Sequence, residues 1–412
     1  MAIAPATVDG QEARRAADLF AKCRQFTAAR EAMARGLYPY FQPIERSYDT
    51  EVVIRGARKI MVGSNNYLGL THHPYVMEKA REALERYGTG CTGSRFLNGT
   101  LDLHEELEAR LAAFLGQEAA LVFSTGYQTN LGILYTLAGR GTVIVQDKLN
   151  HASLIDGGLL SGSSGARMVR YPHVDVDALG RQLDRHLDAP GGLLVVTDGV
   201  FSMEGDIAPL PDILNVAHAR GARVLVDDAH AVGVLGDRGG GTAQHFGVEA
   251  ETDLVMITFS KSFASIGGAV AGPEPVIHYL KHHARPLIFS ASMPPASVAT
   301  VLACLDVIER EPERRAQLWA NAEYLRRGLQ QLGFDTCQST TPIIPVVTGT
   351  MERTFRFWQA LFDAGVFTNP VLPPAVPENS CRLRTSVMAT HTREQLDRVL
   401  EAFAQVQRRL GP

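Results

Sequence analysis

The 412-residue chain carries 40 Lys and Arg against 44 Asp and Glu, a formal net charge of −4, with 45% hydrophobic and 20% charged residues. That balance excludes a disordered, collagen-like or coiled-coil chain, and the length suggests two or three domains at about 100–200 residues each. No basic field favours nucleic acid or an anionic membrane as the main partner, and only Lys22, Lys59, Lys79, Lys148, Lys261 and Lys281 are available if the chemistry needs an amine nucleophile.

Residues 11–35 have amphipathic spacing and predict one helix ending near Gly36, followed by the connector GLYPYFQPIE. A short hairpin is expected next, Glu51–Ile54 and Arg58–Gly63 about a turn at Gly56. Pro74–Tyr87 and Leu101–Leu115 read as helices, the first with proline near its start. Apolar runs then recur at 119–124, 142–147, 166–171, 192–199, 222–230, 253–260, 267–272 and 286–291, mostly separated by helical segments. Continuous Val/Leu/Ile runs, rather than alternation, are what a parallel sheet covered on both faces requires, so this stretch predicts an α/β doubly wound architecture. After Pro294-Pro295 the texture changes to helices near 296–310 and 312–332, the strand-like TPIIPVVTG, a helix over 351–364, CRLRTSVMA and a closing helix over 392–410, a smaller α+β domain. The expected division is an N-terminal helix and arm (1–57), a large domain (58–292) and a small C-terminal domain (293–412).

The five cysteines are scattered without CxxC spacing, so no zinc site or redox pair, and no other metal site, is expected. The N-terminus lacks an apolar core segment and carries acids early, and no stretch approaches 18 consecutive apolar residues; a cytoplasmic protein with at most peripheral membrane contact is expected.

Gly88-Thr89-Gly90-Cys91-Thr92-Gly93 matches the dinucleotide pattern GxGxxG, but a helix precedes it and SRFLNGT follows, where that motif needs a strand before and a helix after. The strongest constellation is VLVDDAH (224–230) followed by TFSKS (258–262), each ending a predicted strand. Ligands of open α/β sheets gather at the carboxyl ends of strands. There an acid, a histidine and a lysine converge, with hydroxyls beside the lysine. Taken singly, Asp227 reads as a helix cap, Lys261 as a solvated loop lysine and His230 as a structural histidine. Together they suit pyridoxal phosphate (PLP), which needs a lysine for its aldehyde, an acid for its pyridine nitrogen and donors for its phosphate. Thr258, Ser260 and the Ser124-Thr125-Gly126-Tyr127 turn offer such donors.

With SNNYLGL (64–70), YGTGCTGSRFLNGT (87–100), FSTGYQTNLG (123–132), DKLNHASLIDG (147–157), DGVFSMEGDIAPL (198–210), VDDAHAVGVLG (226–236), TFSKSF (258–263), FSASMPP (289–295) and RLRTSVMATHT (382–392), the chain resembles the α-oxoamine synthases from about residue 36 onward. The resemblance implies a fold-type I, aspartate-aminotransferase-like PLP transferase with a mostly parallel seven-stranded sheet. It implies Lys261 as the Schiff-base lysine, Asp227 at the pyridine nitrogen, His230 at the ring hydroxyl and His151 stacked on the ring. Gly126, Tyr127, Thr258 and Ser260 would hold the phosphate, and Ser290 would reach the phosphate of the other subunit of a homodimer with shared active sites. Asn66, Tyr67, Ser94, Ser202 and Arg384 would surround the substrate, with Asn66, Ser202 and Arg384 on the amino acid's carboxylate; Ser202 also borders the cofactor.

The implied reaction is a decarboxylative Claisen condensation of an amino acid with an acyl-CoA. FSTGYQTNLG, TLAGRG, GDIAPL and RPLIFSASMPP look closest to the bacterial serine palmitoyltransferase branch, implying L-serine and a long-chain acyl-CoA. The 8-amino-7-oxononanoate synthases, which join alanine to a pimeloyl thioester, are the alternative within the family, and a non-catalytic regulatory subunit is the alternative outside enzymes. Leu372 stands in NPVLPPAVP where some relatives carry an arginine, which leaves the carboxylate to Arg384. Leu37, Tyr38, Tyr40, Phe41 and Met293 are candidates for lining an acyl channel or for packing.

Overall fold

The computed structural model describes residues 17–411. Its centre is a seven-stranded sheet in the order Ala119–Phe123, Gly268–Gly272, Leu254–Thr258, Arg223–Asp227, Leu193–Asp198, Val143–Asp147, Arg167–Tyr171. Only Gly268–Gly272 runs against its neighbours; the other six strands share one direction. The expected mostly parallel sheet is therefore present. Every residue of Val143–Asp147, Leu193–Asp198 and Leu254–Thr258 is buried, the physical reason these strands read as unbroken apolar runs.

The two-residue strand period divides these runs between two cores. Val143, Val145, Val195, Val224 and Val226 pack with Leu179, Leu183, Leu210 and Ile213. Ile144, Leu194, Val196, Leu225 and Met256 pack with Ile133, Leu134 and Leu280 on the other face. Register then places chemistry along one edge: Asp198 pairs with Asp227, and Asp227 with Met256, at the carboxyl ends of three adjacent strands.

Two sequence expectations are corrected. The run 286–291 forms no strand: Arg285–Ile288 is a short helix with proline in its first turn, and an apolar run this short carries no periodicity to separate the two states. Within 11–35, residues 11–16 lie outside the described part, and the rest is two short helices, Ala21–Gln25 and Ala28–Ala34. Neither buries a residue in this chain, so no packing offsets the break at Phe26-Thr27; the Thr27 hydroxyl instead bonds Glu31 at 2.6 Å.

The expected hairpin forms, its second strand running over Ala57–Met61 rather than Arg58–Gly63, and its two-residue loop holds Arg55 and Gly56 at φ +52° and +72°, the geometry of a tight turn between right-twisted strands. Ala57–Met61 also pairs in parallel with Val366–Phe367. The 57/58 division thus falls at the start of a hairpin strand tied to C-terminal chain, and one core runs from Val52 and Ile60 through Leu318, Phe357 and Phe403. Ile343–Gly349, Cys381–Ser386 and Asn369–Val371 form an antiparallel sheet beside it.

The glycine-rich loop 88–100 is stapled to the sheet by an ion pair. Arg95 forks onto Glu108 at 2.7 and 3.1 Å, and the pair takes both backbone groups of Val122 in the edge strand, whose N–H donates to Glu108 (2.9 Å) and whose carbonyl accepts from Arg95 (3.4 Å). Removing one partner strands a nearly buried charge. Arg95→Met is expected to cost about 3–5 kcal/mol in denaturant unfolding, and Arg95→Met/Glu108→Met to recover part of that; a single variant as stable as the parent refutes the staple.

Candidate active site

A cavity of about 330 Å³ opens at the carboxyl ends of the central strands, lined among others by Gly126, Tyr127, Asn130, His151, Asp198, Ser202, Asp227, His230, Thr258, Ser260 and Lys261. Strands deliver Asp198, Asp227 and Thr258 directly, and the chain beyond Leu254–Thr258 delivers Ser260 and Lys261. Gly126 opens the helix Gly126–Leu137, capped by Thr125, whose side chain accepts from Gln128 N at 3.1 Å. A Cβ on Gly126 would lie 2.6 Å from Thr258 Oγ1, so only glycine lets the helix start close on that strand.

Asp227 is buried and both its oxygens are engaged: Oδ2 accepts from Asn130 Nδ2 at 2.7 Å and Oδ1 from Ala229 N at 3.0 Å. Asn130 Nδ2 also donates to Ser153 Oγ (2.8 Å), which bonds His151 Nδ1 (2.7 Å). A chain of contacts thus fixes both the carboxylate and the imidazole. Asn130, Ser153 and Asp198 lie within segments that carry the family resemblance but receive no role from it; the packing of helix Gly126–Leu137 on helix Ala152–Gly162 brings the first two together.

Burial lowers the Lys261 amine to about 8, against the opposing pull of Asp227. Burial first, and the Asp227 charge second, push Asp198 well above the ordinary carboxylate range. His230 lies well below the usual histidine range because it is buried, with Lys261 adding to the effect. Its Nδ1 meets the Tyr67 hydroxyl at 2.7 Å, and Arg384 Nη2 reaches the same hydroxyl at 3.3 Å. Arg384 Nε donates to the Ser202 carbonyl at 2.6 Å, so this buried guanidinium is held from two sides.

Asn66, Tyr67, Ser94, Ser290 and Arg384 do not line the cavity of this chain, although Tyr67 and Arg384 are hydrogen-bonded to the lining residues His230 and Ser202. Asn66 is consumed by a local turn: Nδ2 donates to Asp49 (3.2 Å) and Thr71 (2.9 Å), and Oδ1 accepts from Leu70 N (3.0 Å). Ser94 is buried in loop 88–100 with no partner for its hydroxyl. Ser290 accepts from Gln128 Nε2 at 2.9 Å, outside the cavity. Met293 is a core residue, whereas Phe41 is 93% exposed.

The profile of the class I and II aminotransferases matches residues 57–403. A serine palmitoyltransferase from Sphingobacterium spiritivorum is 50% identical over 381 residues, 92% of this chain and 94% of that one. An 8-amino-7-oxononanoate synthase from Geobacter sulfurreducens is 46% identical over 380 residues, 92% and 96% of the two chains. The solved serine palmitoyltransferase from S. paucimobilis with a bound PLP–myriocin aldimine superposes with a TM-score of 0.92 at 40% identity, over 96% of this chain and 100% of that one. The chain belongs to the α-oxoamine synthase family. It has that family's fold and is a PLP-dependent acyltransferase, which sets aside the reading as a regulatory subunit.

The α-oxoamine synthase cavity fits the cofactor on its own chemistry. It holds an amine, a carboxylate that keeps acceptor capacity beyond its two fixed donors, and the hydroxyls of Thr258 and Ser260, 3.1 Å apart, beside the first turn of a helix. Lys261 would hold the aldehyde, Asp227 the ring nitrogen, and the Gly126–Tyr127 turn with Thr258 and Ser260 the phosphate. Only the neutral amine attacks an aldehyde. Cofactor-free protein is therefore expected to take up PLP faster as pH rises through about 8, measured by the visible absorbance of the bound form; a flat rate across that range removes the assignment to Lys261.

Proposed function

We propose that the enzyme condenses L-serine with palmitoyl-CoA, releasing CoA and CO₂ and forming 3-oxosphinganine, as a cytoplasmic homodimer with shared active sites. The observation that carries this reading is Arg384: a buried guanidinium fixed by Ser202 and Tyr67 beside the Lys261–Asp227 pair, with Nη1 left for a carboxylate. An arginine fork suits a carboxylate better than a lysine does.

When bound, PLP supplies an electron sink next to the amino acid's nitrogen. The protein's own work is proton transfer and orientation. Lys261, neutral in a sizeable fraction near pH 8, takes the Cα proton. Arg384 holds the carboxylate until it leaves as CO₂. His151, anchored through Ser153, orients the amino acid or polarises the acyl carbonyl. The carbon–carbon bond forms as the thioester carbon–sulfur bond breaks and CoA departs as the thiolate; when the carboxylate leaves as CO₂ its electron pair stays at Cα, and Lys261 returns to that carbon the proton it took.

One further feature of the cavity favours a fatty acyl group over a diacid. Val200 and Ile266 line it, and Ile266 is 48% exposed. The identity to an 8-amino-7-oxononanoate synthase keeps alanine with a pimeloyl thioester as the competing pair. Serine, alanine and glycine, each with a series of acyl-CoAs, decide between them by CoA release and product mass. Serine with palmitoyl-CoA is expected to turn over fastest; preference for alanine with the pimeloyl thioester would reassign the enzyme.

A further inference from the structure

Beyond the cavity, at the carboxyl end of strand Val143–Asp147, lies a charge cluster that the reaction does not use. Asp147 is fully buried. Its Oδ1 accepts from Leu149 N (2.8 Å) and its Oδ2 from Val174 N (2.8 Å). His173 Nδ1 lies 3.1 and 3.3 Å from its two oxygens, and His173 Nε2 lies 2.9 Å from Asp206 Oδ2. Carboxylates only accept, so an imidazole bonded to one on each side must carry both protons. Burial works against that charge, but the hydrogen bonds to Asp147 and Asp206 outweigh it and raise His173 to about 10. The next residue, Val174, sits at φ +48°, a conformation a β-branched residue adopts only where its surroundings hold it there. What holds it is the same Asp147.

Asp206 closes the loop 201–206 on itself: Phe201 N donates to Asp206 O (3.1 Å) and Gly205 N to Phe201 O (2.9 Å). The Phe201 ring stands edge-on to the His173 ring at 4.4 Å. From the opposite side, strand Cys381–Ser386 grips the loop. Arg382 Nη1 donates to Met203 O (3.2 Å) and pairs with Glu204 (3.5 Å), and Arg384 Nε donates to Ser202 O. Ser202 is therefore both a wall of the cavity and the rest on which Arg384 is aimed; its loop is closed at the base by the Val200–Ile207 bridge and tied to Asp147 through the His173 side chain.

We propose that His173 is a positioning residue for amino-acid binding: clamped between Asp147 and Asp206, it fixes the 201–206 loop so that the Ser202 carbonyl holds Arg384 in line for the amino acid's carboxylate. This rests on the reading of Arg384 given above. Two consequences separate it from a merely structural histidine. Lys261, Asp227, Thr258 and Ser260 make no hydrogen bond to His173, Asp147 or Asp206, so cofactor absorbance and the KM for acyl-CoA are expected to change far less than serine affinity when the clamp is broken. The effect on the amino acid also travels through Arg384, so it disappears when Arg384 is already altered.

The test is a serine titration of the PLP-loaded enzyme, read by the cofactor absorbance change, on His173→Gln, Arg384→Lys and the double variant. His173→Gln is expected to weaken serine binding about tenfold. Arg384→Lys weakens it by at least as much, and the double variant is little worse than Arg384→Lys, the non-additivity of groups acting as one unit. Asp206→Asn removes a charge from the clamp without removing the imidazole; it is expected to weaken serine binding by a smaller factor, and it decides the question if His173→Gln fails to fold. Unchanged serine affinity in His173→Gln, or in Asp206→Asn where His173→Gln is unfolded, overturns the proposal, as does an equal loss in the presence and absence of Arg384. Normal serine binding by Arg384→Lys overturns instead the assignment of the carboxylate to Arg384, and the clamp's role with it.

Discussion

The site rests on two carboxylates that the sheet forces together. Parallel register sets Asp198 beside Asp227 at the ends of neighbouring strands, and both are buried. Two anions in a poorly solvated pocket repel strongly, so they cannot hold charge equally. Asp227 receives the N–H groups of Asn130 and Ala229. Asp198 is pushed upward by burial and by its neighbour. The countercharge comes from Lys261 and Arg384, which in turn disfavour each other, so burial can lower the Lys261 amine to about 8 despite Asp227. The reactivity of the lysine is thus a property of the cluster.

The parts of this that a sequence can display are those with a local cause. A strand covered on both faces must be apolar throughout, so the sheet is written in the runs themselves. The site residues at strand ends follow from the rule that such sheets bind ligands there, and Lys261, Asp227 and His230 lie around one cavity accordingly. Tertiary causes leave no such trace. In Asp227-Asp228 the two acids look alike, yet strand alternation turns Asp227 to the cavity while Asp228 Oδ2 accepts from Thr242 N at 2.8 Å, outside the cavity lining. Asn130 is one more polar residue in a helix until Ser153 and Asp227 meet it. The run 286–291 misleads because four to six apolar residues suit a buried helical turn as well as a strand.

Loop 201–206 explains why the small C-terminal region belongs to the site at all. It leaves the sheet after Leu193–Asp198, borders the cavity at Ser202, and is gripped by Arg382 and Arg384 from strand Cys381–Ser386. Gly205, at φ +73°, packs so closely on that region that a Cβ would lie 2.4 Å from Ile343 O. The Thr341 hydroxyl donates to the Gly205 carbonyl at 2.8 Å. Any relative movement of the C-terminal sheet must therefore be felt at Ser202 and Arg384 together.

That coupling bears on the leucine at position 372. Leu372 follows strand Asn369–Val371 and carries no charge, so no second cation joins Arg384 from there. A flexible arginine would lose side-chain freedom, about 2 kcal/mol at most, each time it closed on a carboxylate. Arg384 has already lost that freedom on folding, because Ser202 and Tyr67 hold its Nε and Nη2 before any ligand arrives. One arginine fixed in advance can then bind a carboxylate as well as two that must first be ordered, and the burden falls on whatever keeps Ser202 in place.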